Sequence, residues 1–185
     1  LILDAWLIHT VCWAIGGALS VITCIKYLKF LILERPDSPA FTWGLPLVAP
    51  MVTATSSAQL APHAGEWGWI VHGIGVFCFF LALVTGLPMF VLVYRRTFPT
   101  VPTSLAATTW IPLGLVGQST AAAQLLAGDQ WHFRAMVYGV AMLSVGVPLS
   151  IYAIIKHWGT TLGNTPMSYN PCLLYTSDAA DERSS

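Results

Sequence analysis

Apolar residues gather in long runs along this chain, and the polar stretches between them are short and often contain Pro or Gly. A helix that crosses roughly 30 Å of hydrocarbon needs about 20 mostly apolar residues. Five runs of that size can be placed, at about 5–33, 41–61, 69–94, 104–127 and 133–156. The pattern predicts an all-α, polytopic transmembrane bundle, with five spanning helices built from repeated helical hairpins. The runs are of two kinds. The first, third and fifth are rich in Leu, Ile, Val and Phe, and each follows an acidic residue and an interfacial Trp: Asp4 with Trp6, Glu66 with Trp67, Asp129 with Trp131. Each also ends in positive charge, at Lys26, Lys29 and Arg35, at Arg95 and Arg96, and at Lys156 with His157 nearby.

The second and fourth runs read FTWGLPLVAPMVTATSSAQLA and TTWIPLGLVGQSTAAAQLLA. Both give Thr-Trp, then Pro, then a small and hydroxylated stretch, then Ala-Gln-Leu. Trp43 with Trp110, Pro46 with Pro112 and Gln59 with Gln124 stand 67, 66 and 65 residues apart, so the repeating unit is one hairpin. Internal repeats of this kind commonly surround a transport pathway.

Orientation follows from the basic residues. Six of them flank the same set of connections and only Arg134 lies opposite, with Arg183 set aside as part of the tail, which predicts that the loops at 34–40 and 95–102 and the segment after Lys156 face the cytoplasm. Eight basic and eight acidic residues cancel, so no field is present to hold nucleic acid. Cys12, Cys24 and Cys78 fall inside apolar runs without metal-ligand spacing and read as small packing residues, so neither a metal site nor a cofactor is expected. The chain opens at Leu1 inside or just before an apolar run, which predicts that upstream helices precede it. From Cys172 to Glu182 the sequence CLLYTSDAADE resembles a translated transposase sequencing adapter. Residues 1–171 are therefore read as part of a transmembrane transporter domain, and 172–185 as a non-native tail.

The candidate chemistry lies in the second and fourth runs. Pro46, Pro50 and Pro112 each remove an amide donor and are expected to kink the chain at membrane depth, which is tolerated where protein or water re-satisfies the backbone. Downstream of them lie Thr53, Thr55, Ser56, Ser57 and Gln59 in one run and Gly117, Gln118, Ser119, Thr120 and Gln124 in the other, as residues that would line a shared cavity. Hydroxyls, amides and open backbone could replace part of an anion's hydration without holding it as tightly as Arg or Lys. Close packing of small residues explains any one position equally well; the paired pattern favours the pathway. No Asp or Glu lies within the five runs, so a carboxylate relay for protons is not expected, and Lys26 and Lys29 can snorkel to the cytoplasmic interface. His9, His63, His72, His132 and His157 read as boundary residues. A membrane cytochrome would need paired axial histidines, for which only His9 and His72 come close, and Ser119 has no deep histidine partner to make it a nucleophile. No catalytic residue is expected.

The segments WGLPLVAPMVTA (Trp43–Ala54) and TWIPLGLVGQSTAAAQLL (Thr109–Leu126), with NTPMSYNP at Asn164–Pro171, resemble the tellurite-resistance/dicarboxylate transporter family. That family holds bacterial tellurite-resistance proteins, fungal malate permeases and sulfite efflux pumps, and the plant slow anion channels. The resemblance covers residues 4–171. It implies ten helices in five hairpins, with proline-kinked odd helices around a pore in each protomer of a homotrimer, so that the five runs would be helices four to eight, Pro46, Pro50 and Pro112 would match kink prolines, and Thr53, Ser57, Gly117, Gln118 and Ser119 would be the pore-lining candidates. It further implies a multi-pass protein of the cell's inner membrane that passes small inorganic or organic anions as a channel or exporter. The alternatives are a proton-coupled carrier for malate-like C4-dicarboxylates or sulfite, and then a haem-binding redox protein. The family's gating phenylalanine would belong to a ninth helix beyond this chain, leaving Phe77, Phe79, Phe80 and Phe90 as packing or lipid-facing residues.

Overall fold

Backbone N–H and C=O groups cannot stay unpaired in hydrocarbon, so an apolar run in a membrane satisfies them within one helix. The computed structural model describes residues 2–34, 40–98 and 103–162; residues 35–39 and 99–102 of the two expected cytoplasmic loops, the Asn164–Pro171 motif and the tail from Cys172 lie outside it. Each predicted run folds as an α-helix: α1 Ile2–Glu34, α2 Gly44–Leu60, α3 Gly68–Thr97, α4 Ile111–Ala127 and α5 His132–Leu162. No strand occurs among the described residues, and the architecture is the all-α bundle that the sequence predicts.

The two kinds of run become two kinds of helix. Trp6–Glu34, Gly65–Thr97 and His132–Trp158 are each long and apolar enough to cross a membrane. By contrast, α2 and α4 have 17 residues each, about 26 Å at the usual rise, which falls short of a hydrocarbon core of roughly 30 Å. Each is preceded by a tighter 3-10 segment, Phe41–Trp43 and Thr103–Trp110. Trp43 and Trp110 thus stand at the same position, immediately before the first α-helical residue.

Proline placement differs from the expectation of three equivalent kinks. Pro50 lies inside α2. Pro46 and Pro112 lie in the first turns of α2 and α4, where the missing N–H would have had no intrahelical partner, so each fits a helix start without opening the ladder. The sequence reading also passed over Pro88 inside α3 and Pro148 inside α5. Close to Pro50, the Cys24 thiol of α1 approaches the Leu47 carbonyl at 3.8 Å, and the Thr85 hydroxyl of α3, which donates to its own Leu81 carbonyl at 2.8 Å, lies 3.4 Å from the same oxygen.

The core sits around α2, which packs against α1, α3 and α4, while α4 also packs against α3 and α5. Met51, Ala54, Phe79, Phe90 and Leu115 are buried there, and Cys24 and Cys78 fill it as free, buried thiols. Phe79 and Phe90 are core residues, whereas Phe77 and Phe80 face outward. So do Leu7, Ile15, Leu33, Val84, Val140 and Leu143, an apolar exterior far beyond what a water-soluble domain tolerates. α3 comes close to α2 at Gly75, where a Cβ would stand 2.7 Å from the Ser57 Cβ and 3.3 Å from the Ala54 carbonyl oxygen.

Candidate functional site

Helical spacing decides which polar residues of α2 and α4 share a face. On α2, Thr53 and Ser57 lie four residues apart and both point inward, toward α1. The Ser57 hydroxyl donates to the Thr53 carbonyl at 2.7 Å and accepts from the Trp13 indole N–H, also at 2.7 Å. Thr53 meets Ser20 hydroxyl to hydroxyl at 3.0 Å. Because Ser20 already donates to the Gly17 carbonyl at 2.8 Å, Thr53 is the donor of that pair. On α4, Ser119 is fully buried, donates to the Val116 carbonyl at 3.2 Å and neighbours Tyr138 of α5.

Gly117 and Gln118 lie on the opposite, open side of α4. With Trp110, Gly114, Ala121 and Leu125 they form a stripe that follows the helical repeat. A Cβ added at Gly114 or at Gly117 would meet nothing within 4 Å. α2 carries the counterpart: Leu45, Ala49, Val52, Ser56 and Gln59, each exposed or half-buried and spaced four or three residues apart. Neither helix contains an Asp, Glu, Lys or Arg. The five candidate residues therefore divide, with Thr53, Ser57 and Ser119 in the helix contacts and Gly117 and Gln118 on the open stripe.

A crevice of about 220 Å³ between α1 and α2 adds residues that sequence reasoning left aside: His9, Cys12, Gly16 and Ser20 of α1, opposite Val52 and Ser56. Their spacing of three, four and four was the available signal, a polar and small stripe on a helix read only as a lipid-facing span. His9 is not simply a wetted boundary group, since it stacks on Trp6 with ring centroids 5.6 Å apart, and His63 covers Trp6 at 3.8 Å. His72 lines a different cavity, between α3 and α5. His9 and His72 thus line different cavities.

Short, proline-started helices at corresponding positions of a repeat are the usual mark of a transport site, and a match to the voltage-dependent anion channel family covers residues 3–174. The chain belongs to the voltage-dependent anion channel family. Its members are channels and transporters, so anions and a membrane are the general setting of this site. No curated protein and no solved structure matches the chain. Within the family match, the Trp43 and Trp110 motifs are the starts of α2 and α4, and the stripes that follow them are uncharged, with Ser56, Gln59 and Gln118 as their polar side chains.

One consequence concerns the Trp13–Ser57 bond. Ser57→Ala removes the acceptor and leaves an indole N–H facing an apolar contact, an expected loss of about 1–2 kcal/mol. Thermal unfolding in detergent of Ser57→Ala, Trp13→Phe and the double variant checks this; the bond predicts a double-variant loss clearly smaller than the sum of the singles, and strict additivity would contradict it.

Proposed function

We propose that this chain forms the central part of a channel or exporter for small anions, with α2 and α4 as two of the helices around the pathway. The observation that carries the reading is the pair of open stripes on these short helices, which offer glycine backbone, Gln118, Gln59 and Ser56 but no formal charge. Such a wall can replace part of an anion's hydration shell while holding the ion weakly enough to release it. Thr53 and Ser57 act one layer behind, tying α2 to α1, and Ser119 is buried where α4 meets α5. Pro46 and Pro112 set the helix starts, and Pro50 adds the bend within α2. In this reading the five helices correspond to helices four to eight of a ten-helix protomer in a homotrimer of the inner membrane, and the loops at 34–40 and 95–102 are cytoplasmic.

The test is flux. The protein, expressed from its complete reading frame and reconstituted in vesicles, should carry chloride or nitrate down an imposed gradient and follow the membrane voltage. Vesicles holding correctly folded protein that pass no more anion than protein-free vesicles would refute the proposal. A second reading, a proton-coupled carrier for C4-dicarboxylates or sulfite, is favoured by one feature: the His9 imidazole lines the crevice beside α2. A saturating flux with a fixed proton ratio, lost in His9→Gln, would select it.

A further inference from the structure

A second cavity, of about 540 Å³, lies on the other side of the bundle, where α3 and α5 both rest on α4. Its floor is made by Ala123 and Ala127 of α4, and its walls by Val76 and Phe80 on one side and Ala135 and Tyr138 on the other. The small floor residues leave the space, since α4 has no large side chain at either position to fill it. From His72 and Trp131 at the mouth the groove runs about 10 Å, two helical turns. There the Phe79 and Tyr138 rings, which also line it, meet edge to face at 5.8 Å.

The mouth has a different chemistry. Trp131 and Arg134 both line it, with the guanidinium carbon 4.0 Å from the centroid of the indole ring. His72 adds an imidazole from α3. Asp129, in the turn before α5, is exposed at the same end of the bundle. Trp and Arg at the end of a spanning helix mark headgroup depth, and a guanidinium matches phosphate oxygens in a bidentate fashion.

We infer that this groove binds one anionic phospholipid, with an acyl chain along Ala123 and Ala127 and the phosphate on Arg134. Water gains nothing between alanine, valine and phenylalanine walls, and the surrounding bilayer supplies acyl chains at no cost in solvation. The cation at the mouth selects the lipid class: a phosphate whose headgroup carries no compensating ammonium keeps its net charge for Arg134.

The experiment is native mass spectrometry of the protein, expressed from its complete reading frame and released from vesicles of equal phosphatidylglycerol and phosphatidylcholine. Phosphatidylglycerol should remain bound, one molecule per chain. Arg134→Gln should lower its retention about fivefold relative to wild type, with helix content unchanged by circular dichroism. Ala127→Phe, which fills the floor and leaves the arginine in place, should also release the lipid. Equal retention by Arg134→Gln, equal retention of the two lipids by wild type, or cysteines at Ala127 and Ala135 that crosslink one copy to another through the groove would each overturn the inference.

Discussion

Replacing Gly75 with leucine is expected to lower the stability of the bundle by about 3 kcal/mol, the upper end of the usual cost of overpacking. The position permits little else. A Cβ there would lie 2.7 Å from the Ser57 Cβ, 3.1 Å from a Leu126 methyl and 3.3 Å from the Ala54 carbonyl oxygen. Leu126 can rotate aside, but the Ala54 oxygen belongs to the backbone of α2 and moves only if the helices part. The separation would also strain the Ser57 hydroxyl, which holds Trp13 of α1, so one substitution disturbs the contacts of α2 with both α3 and α1. Gly73→Leu, two residues away on the same helix, is the control: nothing lies within 4 Å of its Cβ position, and no loss is expected. Thermal midpoints of the two variants in one detergent check the pair. Equal midpoints would mean that α3 does not approach α2 at Gly75.

The five helices were legible because the bilayer imposes a length and an apolar composition that few other settings require. The Trp43 and Trp110 repeat was legible because the same residues recur in the same order, and the structure gives those tryptophans the same place before α2 and α4. What the sequence did not reveal is the facing of individual side chains. In a soluble helix the polar face announces water, but in helices apolar nearly all round the pattern does not say which side meets a neighbour. Gln118 and Ser119 are adjacent in sequence, and a 100° step along α4 sends one to the open stripe and buries the other. For the same reason the stripe of His9, Cys12, Gly16 and Ser20 on α1 went unread. The prolines misled in a different way. Pro46 and Pro112 occupy first turns, and the internal Pro88 and Pro148 belong to the long helices, so proline alone does not separate the two kinds of helix. Their lengths do.

Gly117→Trp is expected to reduce anion flux through the reconstituted protein by at least about tenfold, if the stripes of α2 and α4 line the pathway. Gly117 lies midway along α4, on the open side, with no atom within 4 Å of its Cβ position. A tryptophan there enters empty space and displaces nothing, so the fold should persist while the space that an ion would cross is filled. Ordinary overpacking predicts the reverse, a loss of stability that carries activity down with it, and thermal unfolding separates the two. Gly73→Trp places the same bulk in open space on α3 and should leave flux unaltered. Gln118→Leu removes the amide next to Gly117 and should shift selectivity among anions, with a smaller change in total flux, because it alters what replaces hydration without closing the passage. The measurement is flux per folded molecule in vesicles for all three variants. If Gly117→Trp transports as well as wild type, the open face of α4 meets lipid or a neighbouring helix, and the pathway has to be sought on the α1 side of α2, along the crevice that His9 and Ser20 line.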